Sequence, residues 1–211
     1  RAESDSCIPV LEIEAEFATP LWQFGMSTYD FVNAQTIGCL WTDQGIWHSG
    51  FIDITSGQLS KVDCPYSSIH AACCFQGSLY MVAGAAAIPS EVVSVTSSDQ
   101  TLNTIYAPAT LDIDPQGLSQ PQSILFPTNG GEQVHAFFYP PANEAYCGED
   151  NELPLVIALC HGGPTGATDS GLNLKIQYWT SRGFAVVDIN YRGSTGFGRS
   201  YRQSLAGAWG I

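Results

Sequence analysis

Residues Leu11, Glu12, Ile13, Glu14, Ala15, Glu16 and Phe17 alternate apolar and acidic side chains. That period of two predicts a strand with one wet face. Further apolar-rich segments at 37–42, 46–55, 69–75, 78–83 and 91–96 predict more strands. Between them stand turn residues: Asp43-Gln44-Gly45, Ser56-Gly57 and Gln76-Gly77. Around residues 112–121, Pro115 and Pro121 interrupt the chain and the pattern changes. Segments 123–127 and 133–139 read as a hairpin joined by Asn129-Gly130-Gly131. A polar loop at 140–152 leads to 153–160, a nearly unbroken apolar run that predicts a strand covered on both faces. Leu172, Ile176 and Trp179 have helical spacing, with Asp169 or Ser170 as N-cap and Gly183 as terminator. A second buried strand follows at 184–189. Strand, helix, strand predicts a right-handed parallel crossover. Residues 1–118 thus read as all-β, and residues 119–211 as the opening of an α/β unit.

The β half contains an echo. FIDITSGQLSKV at 51–62 resembles VVSVTSSDQTLNTI at 92–105, with Ile54-Thr55-Ser56 matching Val95-Thr96-Ser97 at a distance of 41 residues. Four-stranded propeller blades repeat at about that period. Two blades cannot close a ring, so the expectation is a fragment whose remaining blades lie upstream of Arg1.

Composition narrows the function. The formal net charge is −13, and the 7 Lys and Arg are thinly spread. A polyanion needs clustered cations, so neither nucleic acid nor an anionic membrane surface is expected as a partner. No apolar run is long enough to span a bilayer. The 7 cysteines include the adjacent pair Cys73 and Cys74. A secreted disulfide scaffold is smaller and denser in Cys, so reduced thiols and a cytoplasmic location are expected. The chain begins with Arg1 rather than Met, so it carries no information on a signal peptide. Cys64, His70, Cys73 and Cys74 match no standard zinc spacing, and no metal is expected.

The apolar strand ends in His161-Gly162-Gly163-Pro164. In open α/β sheets, sites form at the carboxyl ends of strands. Glycines there let the backbone approach a bound group and aim amides at an oxyanion. A second glycine-rich stretch, 190–199, follows the next strand, so Arg192 and Gly193 are expected to wall the same pocket. A serine hydrolase also needs a nucleophile on a G-x-S-x-G elbow. No serine of the chain has glycines on both sides at that spacing; Ser194 in Arg192-Gly193-Ser194-Thr195-Gly196 misses it. His161 reads as structural, hydrogen-bonded near the strand end.

Together the two motifs resemble the prolyl oligopeptidase family of serine peptidases, especially its acylaminoacyl-peptidase and dipeptidyl-peptidase-like branch. The resemblance runs through 119–141, LPLVIALCHGGPTG at 153–166, YWTSRGFAVVDINYRGSTGFGRSY at 178–201 and GAWG at 207–210. It implies a β + α/β fold: C-terminal blades of a β-propeller at 1–118, then the first part of an α/β-hydrolase domain at 119–211. It implies an oxyanion hole to which the backbone at Gly163 and Gly162 contributes. The Ser, Asp and His of the triad would lie beyond Ile211, leaving this chain alone inactive. Short peptides would be the substrate, without cofactor, and homo-oligomer formation is compatible with it. The rival readings are a carboxylic-ester hydrolase on the same fold and a non-catalytic remnant or binding module.

Overall fold

A computed structural model describes residues 8–20, 22–109, 113–143, 145–149, 152–163 and 165–209. Arg1, Pro164 and Ile211, named above, lie outside them, as do Cys7, Asp112 and Gly210.

Two four-stranded antiparallel meanders come first. One is β1 (Tyr29–Asn33), β2 (Thr36–Asp43), β3 (Ile46–Asp53) and β4 (Leu59–Lys61). The other is β5 (Ser68–Phe75), β6 (Ser78–Ala85), β7 (Ile88–Thr96) and β8 (Leu102–Tyr106). Their facing sides share a core of Leu40, Phe51, Val62, Ile69, Leu79, Met81, Val93 and Val95. The sequence pattern finds the long central strands but misses β1, β4 and β8. Those are short and lie at or near a sheet edge, where packing imposes little alternation.

The echo is real in structure but shifted by two residues. The Gly57 amide donates to the Asp53 carbonyl at 2.8 Å, and the Gln100 amide to the Thr96 carbonyl at 2.9 Å. The equivalent turns are therefore 43 positions apart (Asp53 and Thr96), not 41. Thr55-Ser56 sits inside its turn, whereas Thr96 closes β7, so the similar letters occupy different places.

Residues 11–17 do not form a strand. Only an isolated bridge joins Glu16 to Thr42. Leu11, Ala15 and Phe17 instead pack on Cys39, Trp41 and Ile52, the outer face of the first meander. Both faces of β2 are thereby buried, which is why Gly38 through Thr42 carry no polar alternation.

The third sheet has strand order β11-β12-β10-β9. β9 (Gln122–Pro127) and β10 (Gln133–Tyr139) form the expected hairpin. β11 (Val156–Cys160) runs parallel to β12 (Ala185–Asn190), and β10 is antiparallel to β12. Within this chain β11 is an edge strand with Val156, Ala158 and Cys160 exposed, so it is not covered on both faces. Helix α1 (Leu174–Thr180) buries Ile176 against Phe137, Tyr139 and Val186. Its N-cap is Asn173, whose side chain accepts from the Lys175 amide. Asp169 and Ser170 do not cap it, because both are drawn into bonds with the first half of the chain. A short helix α2 (Gly198–Gln203) ends the described sheet-and-helix unit. No helix among the described residues is long and apolar enough to cross a membrane.

Candidate functional site

Two loops leave the carboxyl ends of the parallel neighbours β11 and β12, at Cys160 and Asn190. Parallel pairing places these ends side by side, so residues 161–163 and 165–173 face residues 191–197. A cavity of about 180 Å³ opens between these loops and the first half of the chain. Gly162, Gly166, Thr168, Asp169 and Thr195 line one side; Trp22, Met26, Thr42, Trp47 and His70 line the other.

The glycine loop is held by its carbonyls. The Tyr191 hydroxyl lies 2.8 Å from the Gly163 carbonyl oxygen and 3.1 Å from that of His161. A trans peptide directs its N–H opposite to its C=O, so the Gly162 amide points away from Tyr191. The Gly162 carbonyl lies 3.3 Å from His161 Nδ1, which turns the Gly163 amide away from the imidazole. Neither amide has an acceptor among the described residues. Gly163 has φ +70, a conformation that favours glycine. Trp22 closes on it: a Cβ at Gly163 would lie 3.3 Å from Trp22 Cζ2.

His161 stacks on Tyr191 with ring centroids 4.4 Å apart, and its Nε2 lies 2.7 Å from Ser194 Oγ. Ser194 is fully buried and donates its one hydroxyl proton to the Tyr191 carbonyl at 2.7 Å. His161 Nε2 must therefore be the protonated nitrogen, donating to Ser194. A general base needs the opposite arrangement, with the serine donating to the imidazole. The pair anchors one loop to the other. Arg192 reaches Glu132 at 3.1 Å, and Gly193 is buried with its amide on the Tyr201 carbonyl. Neither lines the cavity described above.

A polar layer lies beneath the loops. Asn190 accepts from the Thr168 amide and donates to His135 Nδ1 at 3.2 Å, leaving His135 Nε2–H for Ser123 Oγ at 3.0 Å. Burial pushes His135 down to about 4, so it is neutral at physiological pH. Burial also pushes the Asp188 carboxyl up, partly offset by the Thr168 hydroxyl.

Two junctions tie the loops to the first half. Asp169 Oδ2 accepts from Ser68 Oγ at 2.9 Å and lies 3.1 Å from His70 Nε2. Burial alone would raise the Asp169 carboxyl, but bonds from His70, Gly171 and Ser68 and the His70 charge bring it below the usual range. Ser68, His70 and Asp169 have triad residue types without triad geometry. Both Ser68 and Asp169 converge on the same imidazole nitrogen, so no relay through two ring nitrogens exists. At the second junction, buried Glu16 accepts from the Gly196 amide at 2.8 Å and the Gly198 amide at 3.0 Å, and pairs with Arg202. Sequence reasoning missed Tyr191, Trp22, Asp169 and Glu16 in these roles. The only signal for Glu16 was its place in an acidic alternation, which pointed to a solvated face.

Comparison with known proteins gives a consistent set of relatives. Residues 170–211 match the prolyl oligopeptidase family. Dipeptidyl aminopeptidase BIII of Pseudoxanthomonas mexicana is 42% identical over 60 residues, 28% of this chain and 9% of that protein. The crystal structure of puromycin hydrolase superposes with a TM-score of 0.92 at 33% identity, covering 98% of this chain and 31% of the other. A puromycin-hydrolysing peptidase of Mycobacterium tuberculosis gives 0.92 at 31% identity, covering 99% and 32%. The chain thus spans about a third of the solved structures it matches.

Proposed function

We propose that the chain belongs to the prolyl oligopeptidase family, whose pattern residues 170–211 match, and that the protein it forms part of is a serine peptidase acting on short peptides. In this reading residues 1–118 are β-propeller and residues 119–211 open an α/β-hydrolase domain. The two meanders and the parallel β11–β12 pair support that division. A substrate carbonyl comes to the amides of Gly163 and Gly162, which stabilise the oxyanion of the tetrahedral intermediate. One such donor is worth about 3 kcal/mol of barrier. The observation that carries the reading is the Tyr191 hydroxyl gripping the carbonyls of His161 and Gly163, which presets the loop before substrate arrives. Arg192 and Gly193 act behind this wall, Arg192 through its pair with Glu132.

The nucleophile, acid and base lie outside residues 1–211 in this proposal, since no serine here has the elbow pattern and Ser194 is committed to the Tyr191 carbonyl. Small aminoacyl amides of the puromycin type fit the same chemistry, and the six free cysteines among the described residues fit a reducing, cytoplasmic setting. The test is labelling of the complete protein with a fluorophosphonate, then comparison of peptide anilides with acyl esters. Labelling with anilide turnover is expected, and the 211-residue polypeptide alone should turn over neither. Labelling with ester turnover only would replace the peptidase reading by the esterase one.

A further inference from the structure

Of the contacts between the two halves, the one at Glu16 reaches furthest into the candidate site. The Glu16 backbone is pinned to the end of β2. Its amide donates to the Thr42 carbonyl at 3.0 Å, and the Thr42 amide donates to the Glu16 carbonyl at 2.9 Å. β2 is buried from Gly38 to Thr42, so the carboxylate stands on one of the stiffest parts of the first meander. Its Oε2 accepts both the Gly196 and the Gly198 amides, and its Oε1 pairs with Arg202. Helix α2 supplies no acceptor of its own here, because its N-cap is Phe197, whose side chain makes no capping bond. Gly196 also lies directly on β2: a Cβ there would stand 3.1 Å from Thr42 Cγ2.

The neighbouring residue carries the contact onward. The Thr195 amide donates to the Gly166 carbonyl at 3.0 Å, and its hydroxyl donates to the Thr165 carbonyl at 2.7 Å. With Tyr191 on the carbonyls of His161 and Gly163, the 191–198 loop grips the glycine loop on both sides of its turn. We infer that Glu16 is a positioning residue: from the first half of the chain it anchors residues 191–198, and through them the glycine loop whose amides face a substrate. Its effect on turnover rests on the peptidase reading, whereas its effect on the loop is measurable without turnover.

In the complete protein, kcat and KM are measured on a panel of aminoacyl and dipeptidyl p-nitroanilides. Rates are normalised to sites titrated with a fluorophosphonate, so that unfolded protein does not count. Glu16→Ala should lower kcat about 10- to 100-fold with KM unchanged, as for a displaced group that acts only in the transition state. Glu16→Gln combined with Arg202→Met keeps an acceptor for both glycine amides and strands no charge, and should restore most of kcat. Amide hydrogen exchange, resolved to single residues by electron-transfer fragmentation, gives the second readout. Glu16→Ala should deprotect Thr195 and also Thr168, whose amide rests on Asn190, while the amides of β10 keep their protection. Exchange that rises only at Gly196 and Gly198, or an unchanged kcat, would overturn the positioning role and leave the peptidase reading in place. A wild type that neither titrates nor turns over any anilide would remove the peptidase reading, and exchange spreading to Thr195 and Thr168 would still uphold the anchor.

Discussion

His135 is the residue whose protonation state most clearly depends on the fold. It is completely buried against Phe137 and Phe197, and its two ring nitrogens are committed to Asn190 and Ser123. Only the neutral ring satisfies both contacts, because Nδ1 accepts there. Its folded-state value of about 4 lies below the ordinary 6.5. Its contribution to stability is therefore full above pH 6.5 and is lost as pH falls towards 4, where the unfolded chain takes up the proton first. The drop amounts to about 3 kcal/mol across that window. Urea unfolding midpoints of the 211-residue chain at pH 7, 5.5 and 4.5 should fall in step, and His135→Gln should flatten that slope. Asp169 acts in a separate window: its lowered carboxyl supports the fold above the ordinary carboxylate value and loses that contribution only as pH falls below it.

At the level of elements, the interest lies in how one side chain fastens the start of a helix to a distant segment. Glu16 belongs to an irregular segment packed outside β2, yet its carboxylate receives the Gly196 amide ahead of α2 and the Gly198 amide at its first residue, and meets Arg202 within it. A helix N-terminus favours an anion because its first amides lack partners. Glu16→Gln keeps the shape but removes the charge and leaves the half-buried Arg202 guanidinium unpaired. The expected loss is about 2 kcal/mol, read as a lower urea midpoint at unchanged m-value. A midpoint equal to wild type would mean that the amide bonds, not the charge, carry the contact. Here the sequence pattern misled: three alternating acids resemble a wet strand face, but the third is 9% exposed and faces the far half of the chain.

Across the whole molecule, the meanders and the mixed sheet touch at a place where no side chain fits. Gly45 turns between β2 and β3 at φ +80, and a Cβ there would lie 2.9 Å from Phe137 Cζ in β10. Phe137 is completely buried and has little room to retreat. Gly45→Ala adds left-handed strain to that overlap, and about 3 kcal/mol of destabilisation is expected. Because the glycine belongs to one half and the ring to the other, far-UV and tryptophan probes should report one shared, lowered transition. Separate transitions would mean that the halves fold independently of this contact.

What the sequence determined by itself was local and periodic. Long strands buried by the meander core, the 123–139 hairpin, the strand–helix–strand unit and the glycine loop at a strand end all follow from side-chain alternation, turn residues and backbone freedom. These act over a few residues, so the order of letters is enough to read them. The register of the repeat, the cap of α1 and the partners of Glu16, Asp169 and Trp22 were decided only in three dimensions. The partners of Glu16, Asp169 and Trp22 lie about 100 to 190 positions away in the chain, as with Ser68 to Asp169 or Glu16 to Arg202. Which hydroxyl, amide or ring answers a polar group at that separation is set by how the sheets pack, and no short-range pattern encodes it. The glycine loop at the strand end was therefore legible, and the tyrosine that holds its carbonyls and the tryptophan that stands against Gly163 were not.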